Sequence, residues 1–310
     1  MNSRAVIKIR EIVFCFGLML LCSCATEKSL RPVTPAIASM NTLAGRDDLL
    51  FIRVHLENDK DMIFAVDTGS PWTIFDSSLK PKLGKRIGFN WLHYGWASDT
   101  FVYKYKSPNL YIGTNLLQLG NSILTDDLKQ KIPGRSVVGI LGMDCLKNYC
   151  VQLDFEAKKI RFLDPENFSD DDLGKAFPLA YDWGDLTTGM DFCGGKIWFG
   201  VDTGEYLDGT LKSSLLERVS KMQKPARVIE RQSKSGASQR NFYFSELVFG
   251  GTTYTNLVIH KNSDGINANI LGLRLMARNL VTFDFPKQTM YLKQTSVGPL
   301  AKKSLLDDSP

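Results

Sequence analysis

A segment that occurs twice in one chain should fold twice in the same way, and here the repeated segment carries reactive groups. "DMIFAVDTGSPWTIFDSSL" (residues 61–79) recurs as "KIWFGVDTGEYLDGTLKSSL" (196–215). Downstream, "VVGILGMDCLKNYCVQLDFEAKKIRFL" (137–163) recurs as "NANILGLRLMARNLVTFDFPKQTMYL" (267–292). Asp67 and Asp202 are 135 residues apart, and Gly142 and Gly272 are 130 apart. Two elements in the same order at nearly the same offset mark two tandem copies of one unit. The copies meet near "DPENFSDDDLGKAFP", which is acidic and turn-rich as a linker should be.

Within the copies, short β-branched and aromatic runs ("LLFIRVHL", "MIFAV", "VYKYK", "SVVGIL", "CVQLDF", "KIRFL") alternate with Asn, Asp, Gly and Pro. These read as strands. "MDCLKNY" and "LLERVSKM" are the helical candidates. Each copy is therefore mostly β. The 310 residues are 44% apolar and 23% charged, enough for a packed core and about two domains. A net charge of +5 without a basic, aromatic-interleaved stripe argues against nucleic acid as a partner.

The first residues belong to targeting rather than to the fold. Arg4, Lys8 and Arg10 precede the ten-residue apolar run "IVFCFGLMLL", too short to span a bilayer. Leu21-Cys22-Ser23-Cys24 resembles a bacterial lipobox, which implies cleavage after Ser23 and a lipid on Cys24. An ordinary secretory cleavage nearby is the plainer alternative. Losing residues 1–23, with three basic side chains and one acidic, leaves a charge of +3. Residues 24–47 lack any sustained period and read as a flexible tether, and 295–310 as a solvated tail. The remaining cysteines, Cys145, Cys150 and Cys193, are odd in number. Apolar neighbours suggest that the first two are buried, with a Cys145–Cys150 bridge left open; Cys193 in "DFCGGKIW" is expected at an exposed hairpin turn.

Each copy places an aspartate directly after an apolar strand, followed by Thr and a Gly that permits a tight turn and close backbone approach. If the copies pack about a pseudo-twofold axis, the two carboxylates share one site and hold one proton between them. Such a pair can deprotonate a water while protonating a carbonyl.

This arrangement resembles the aspartic protease clan, which includes pepsin-like and retropepsin-like enzymes, over residues 49–293. "FAVDTGSPWTIF" fits the active-site pattern throughout, and "GILGMD" and "NILGLR" resemble the apolar-apolar-Gly element beneath it. The resemblance implies two tandem homologous β-barrel-like lobes (residues 48–165 and 179–294, joined by 166–178) with an active-site cleft between them. It implies Asp67 and Asp202 as the catalytic pair, and Thr68, Gly69, Ser70, Thr203 and Gly204 as their support. Thr68 and Thr203 would brace the turns, and Ser70 would hydrogen-bond beside Asp67. "GFNWLHYGWASDT" (88–100) is the flap candidate, with Tyr94-Gly95 at its tip; "SKSGASQ" (233–239) is a possible second loop over the cleft.

The second turn departs from the family, with Glu205 where Ser or Thr is expected and Gly200 before Val201. Pointing inward, Glu205 would raise a carboxyl pKa in the cluster; pointing outward, it would cost one supporting hydrogen bond. Two readings follow. One is a lipid-anchored aspartic endopeptidase of the bacterial envelope, facing the periplasm from the outer membrane and cleaving extended peptide segments of peptide or protein substrates. The other is a catalytically weak or inactive relative that binds peptides or partner proteins. No cofactor is expected. His55, His93 and His260 have no metal-ligand spacing, Asp170-Asp171-Asp172 lacks a calcium-loop pattern, and "FGGTTYTN" is not a phosphate loop.

Overall fold

In the strand Phe51–Leu56 the side chains are buried except for exposed Arg53 and half-buried His55. That alternation, facing one side of a sheet to the core, recurs through the chain. The structure, a computed structural model, describes residues 33–92, 99–132, 136–169, 171–182, 185–232, 238–262 and 268–301. Residues 33–310 form a compact unit distinct from 1–32 and contain every described strand and the whole apolar core.

The repeat is visible in the strand pairing. Met62–Val66 runs parallel to Val137–Leu141, with Val66 opposite Leu141. Val137–Leu141 is also antiparallel to Ile74–Asp76, which lies parallel to Ser122–Asp126. The second copy takes the same path. Gly195–Asp202 runs parallel to Ile270–Gly272, with Asp202 opposite Gly272. Ile270–Gly272 is antiparallel to Gly209–Leu211, which lies parallel to Thr252–Lys261. Ile74–Asp76 and Ser122–Asp126 are buried at every position, as strands enclosed on both faces must be.

The tails of the two copies are joined by backbone hydrogen bonds. Cys150–Asp154 pairs antiparallel with Asn279–Asp284, and Gln152 faces Thr282. Those two are equivalent in the repeat, 130 residues apart, so a pseudo-twofold axis passes between them. Gln152 Nε2 donates to Thr282 Oγ1 at 3.2 Å. This pairing makes one 13-stranded sheet that takes strands from both copies, beside a 9-stranded sheet from the first copy alone. Neither sheet closes into a barrel among the described residues, in contrast to the barrel-like lobes expected. Each copy gives its last hairpin to the shared sheet instead of closing on itself.

Three segments differ from their sequence reading. Within the expected tether, Ala36–Ser39 is a strand on Lys159–Leu163, burying Ala36 and Ala38 and exposing Ile37 and Ser39. Two small residues alternating over four positions are too faint a pattern to read without the partner strand. Lys175–Asp182 begins inside the expected linker and pairs with Thr289–Gln294. In the expected tail, Thr295 and Ser296 amides donate to Arg278 O, and Thr255 N donates to Val297 O.

The helix expected in "LLERVSKM" is Ser213–Met222, which buries Leu215, Leu216 and Val219 on one face. "MDCLKNY" gives only the single turn Met143–Leu146, repeated as Leu273–Met276. Cys145, Cys150 and Cys193 are all free thiols. Cys193 does sit at a hairpin turn, with φ of 50° there and 76° at Gly194, the geometry of a two-residue turn matched to strand twist. It is half-buried against the core rather than exposed.

Candidate active site

Both Asp-Thr-Gly turns emerge from the ends of parallel strands and meet. Thr68 and Thr203, each buried, cross-link them symmetrically. Thr68 N donates to Thr203 Oγ1 and Thr203 N to Thr68 Oγ1, both at 3.0 Å. Thr68 Oγ1 then donates to Val201 O and Thr203 Oγ1 to Val66 O, both at 2.7 Å. Each hydroxyl thus accepts from one turn and donates into the strand behind it. The four bonds fix the turns against each other, at about 0.5–1.5 kcal/mol each.

The glycines set how closely the carboxyls approach. A Cβ on Gly69 would lie 2.6 Å from Asp202 Oδ1, and one on Gly204 would lie 2.9 Å from Asp67 Oδ1. Each glycine leaves the space that the opposite aspartate fills. Gly69 N donates to Asp67 Oδ1 at 2.8 Å, and Gly204 N to Asp202 Oδ1 at 2.7 Å. The two carboxyls lie close enough for each to shift the other's protonation. Burial pushes both above the ordinary carboxylate range, and the charge of Asp67 drives Asp202 further up. The pair therefore holds a proton at pH values where lone carboxylates have lost theirs.

Beneath each turn lies the apolar-apolar-Gly element. Met143 N donates to Ser70 O at 2.8 Å, and Leu273 N to Glu205 O at 2.7 Å. A Cβ on Gly142 would meet Trp72 O at 2.3 Å, and one on Gly272 would meet Leu207 O at 2.2 Å. The equivalence is residue for residue.

One support residue behaves differently from expectation. The Ser70 hydroxyl turns away from Asp67 and donates to Trp72 O at 2.8 Å; its part in the carboxyl's environment is a backbone N–H. Glu205 follows the same path as Ser70. Its carboxylate accepts from Leu207 N at 2.9 Å and from Thr210 Oγ1 at 3.1 Å, leaving it within electrostatic reach of Asp202. Burial raises its pKa, the Leu207 amide opposes that, and Asp202 raises it further. The flap candidates Tyr94 and Gly95 lie outside the described residues, as do Cys24 and residues 233–237. The strands flanking residues 93–98, Arg86–Leu92 and Thr100–Lys106, pair as a hairpin.

A pocket of about 320 Å³ opens over Asp67, Asp202, Gly69 and Gly204, walled by Leu49, Ile74, Leu92, Ile132 and Ile140. Lys131 also lines it, with its ammonium held by Asp126 at 2.5 Å and Thr100 Oγ1 at 2.8 Å. None of these wall residues stands out in sequence, because apolar side chains around a pocket share the pattern of core strands.

The sequence reading also missed a polar exchange under the turns. Thr73 Oγ1 donates to Asp144 Oδ1 at 2.6 Å in the first copy. The equivalent positions in the second are Asp208 and Arg274, which form an ion pair. Arg278, fully buried, adds a second cation on Asp208 at 2.6 Å. Aligning "GMDCLKNY" with "GLRLMARN" carries the signal, since Asp144 and Asn148 become Arg274 and Arg278.

No protein-family model matches the chain, and no curated protein does. Among solved structures, basic 7S globulin from soybean superposes with a TM-score of 0.57 at 11% identity, covering 86% of this chain and 96% of the globulin. The chain thus shares its overall fold with that globulin. The neighbour is named as a globulin and not as an enzyme, so the likeness speaks for the fold alone.

Proposed function

We propose that this protein is an aspartic endopeptidase that hydrolyses extended peptide segments with Asp67 and Asp202. The observation carrying this reading is the reciprocal approach of the two carboxyls, each held by the glycine amide of its own turn and admitted by the glycine of the other. In the proposed reaction one carboxylate takes a proton from water as the oxygen attacks the scissile carbonyl carbon. The partner carboxyl gives its proton to the carbonyl oxygen. The carboxyl that took the water's proton then gives it to the amide nitrogen. The C–N bond breaks as a hydroxyl of the tetrahedral intermediate returns a proton to the partner carboxylate. The apolar wall beside Asp67 favours an apolar side chain next to that bond. We extend the proposal to a cleft between two lobes, with the segment 88–100 as its flap candidate. It includes lipid attachment at Cys24, which places the enzyme on the outer membrane facing the periplasm.

The test is digestion of a peptide library by residues 33–310 across pH 3–8. Asp67→Asn and Asp202→Asn should each lower cleavage by about 10²–10⁴-fold, and the double variant should cost little more because the pair acts as a unit. Wild-type cleavage by Asp202→Asn would overturn the mechanism. A second reading, a non-catalytic peptide-binding protein, is favoured by one observation, the half-buried Glu205 carboxylate near Asp202. It predicts no cleavage at any pH, with peptides still bound in the pocket.

A further inference from the structure

The hairpin of Arg86–Leu92 and Thr100–Lys106 is built inside out. Its inner face places Leu92 and Val102 in the apolar cluster with Ile74, Leu124 and Ile140. Its outer face carries the larger side chains and leaves them in water: Ile87 is 57% exposed, Phe89 65%, Trp91 65% and Phe101 44%. These residues form one surface. Phe89 stacks on Phe101 with centroids 5.0 Å apart, and Trp91 meets Phe101 edge-on at 5.6 Å. Phe101 in turn meets Tyr103 at 5.7 Å. A contiguous exposed aromatic surface of this kind marks an interaction site rather than ordinary exposure.

Its charge says what it meets. Arg86 and Lys80 lie over the Tyr103 ring at 4.7 and 5.2 Å, so the aromatic strip ends beside two cations. Residues 77–106 hold six basic side chains and one acidic, Asp99, a local excess equal to the net charge of the whole chain. Aromatic rings beside Lys and Arg are the composition that sits at the headgroup level of a bilayer, the rings at the acyl boundary and the cations on lipid phosphates. Each Lys or Arg near an anionic bilayer surface contributes on the order of 1 kcal/mol.

We propose that this outer hairpin face docks on an anionic phospholipid surface, independently of any lipid on Cys24. The inference goes beyond the peptidase reading and does not depend on it. Residues 33–310, which lack both the leader and Cys24, would be sedimented with vesicles of phosphatidylglycerol and phosphatidylcholine at 1:1. They should partition at least tenfold more strongly than onto phosphatidylcholine alone, and 0.5 M NaCl should weaken the binding. Phe89→Ser/Trp91→Ser/Phe101→Ser should lower partitioning at least tenfold with the thermal midpoint retained, since Leu92 and Val102 still anchor the hairpin. If that variant misfolds, quenching of wild-type tryptophan fluorescence by brominated lipid, lost in Trp91→Phe, reads the same contact. Asp67→Asn should bind vesicles as the wild type does. Absence of binding at 1 mM lipid, equal binding by the serine variant, or a dimer that only the wild type forms would each overturn the proposal.

Discussion

Glu205 stands where the first copy has Ser70, and both side chains reach two residues ahead along their own turn. Ser70 donates to the Trp72 carbonyl, whereas Glu205 accepts from the Leu207 amide and the Thr210 hydroxyl. The carboxylate thus replaces the hydroxyl's brace with one of opposite polarity. Glu205→Ala would strand both donors and should cost roughly 2–6 kcal/mol, taking about 1–3 kcal/mol for each unmade bond. Glu205→Gln keeps an acceptor for Leu207 and should cost less. The pH dependence separates charge from bracing. Because burial raises the pKa of Glu205 above its ordinary 4.5, the folded chain holds that proton more tightly than the unfolded chain. Its contribution is then full below about 4.5 and is lost as pH rises through the folded value. The thermal midpoint of Glu205→Gln should therefore gain on the wild type as pH is raised from 4 to 7. A constant difference across that range would show that the charge plays no part.

At the scale of elements, the two turns are held less by their own strands than by each other. Thr68→Val would leave the Thr203 amide and the Val201 carbonyl without the Thr68 hydroxyl in a buried crossing, a loss of about 2–6 kcal/mol. Thr68→Ser keeps the hydroxyl and should retain most of that. If the proposed peptidase reading holds, the valine variant should also lose catalytic rate out of proportion to substrate binding, because the turns carry the carboxyls while the apolar wall of Leu49, Ile74, Leu92, Ile132 and Ile140 stays in place. Thermal melts and a kcat-against-KM comparison check both. These turns were legible in the sequence, since Asp-Thr-Gly behind an apolar strand occurs twice at matched spacing. The direction of the Ser70 hydroxyl and of the Glu205 carboxylate was not. Neighbouring backbone donors and acceptors decide it, and local pattern does not encode them. The strand Ala36–Ser39 was hidden for a related reason. Its partner lies 120 residues away at Lys159–Leu163, and its own four residues carry little signal.

For the whole molecule, the duplication was legible but the way the copies join was not. Cys150–Asp154 reads as a half-buried strand in either case, and nothing local says that its neighbour is Asn279–Asp284. The register supplies a consequence. Gln152 faces its own repeat equivalent, Thr282, so the strand of the first copy is nearly complementary to itself about that point. Residues 33–169 expressed alone would expose this edge, with Val151 and Leu153 on it, and exposed pairing edges recruit a second strand. The expected product is a symmetric dimer in which two Cys150–Asp154 strands pair about Gln152 and two Thr68 side chains brace each other. Light scattering should give twice the chain mass. Val151→Arg, which puts two like charges close together across the new pair, should return a monomer or abolish folding. A wild-type fragment that is monomeric with native-like strand content would show that the first copy closes by its own contacts, and that the shared sheet is an addition to it.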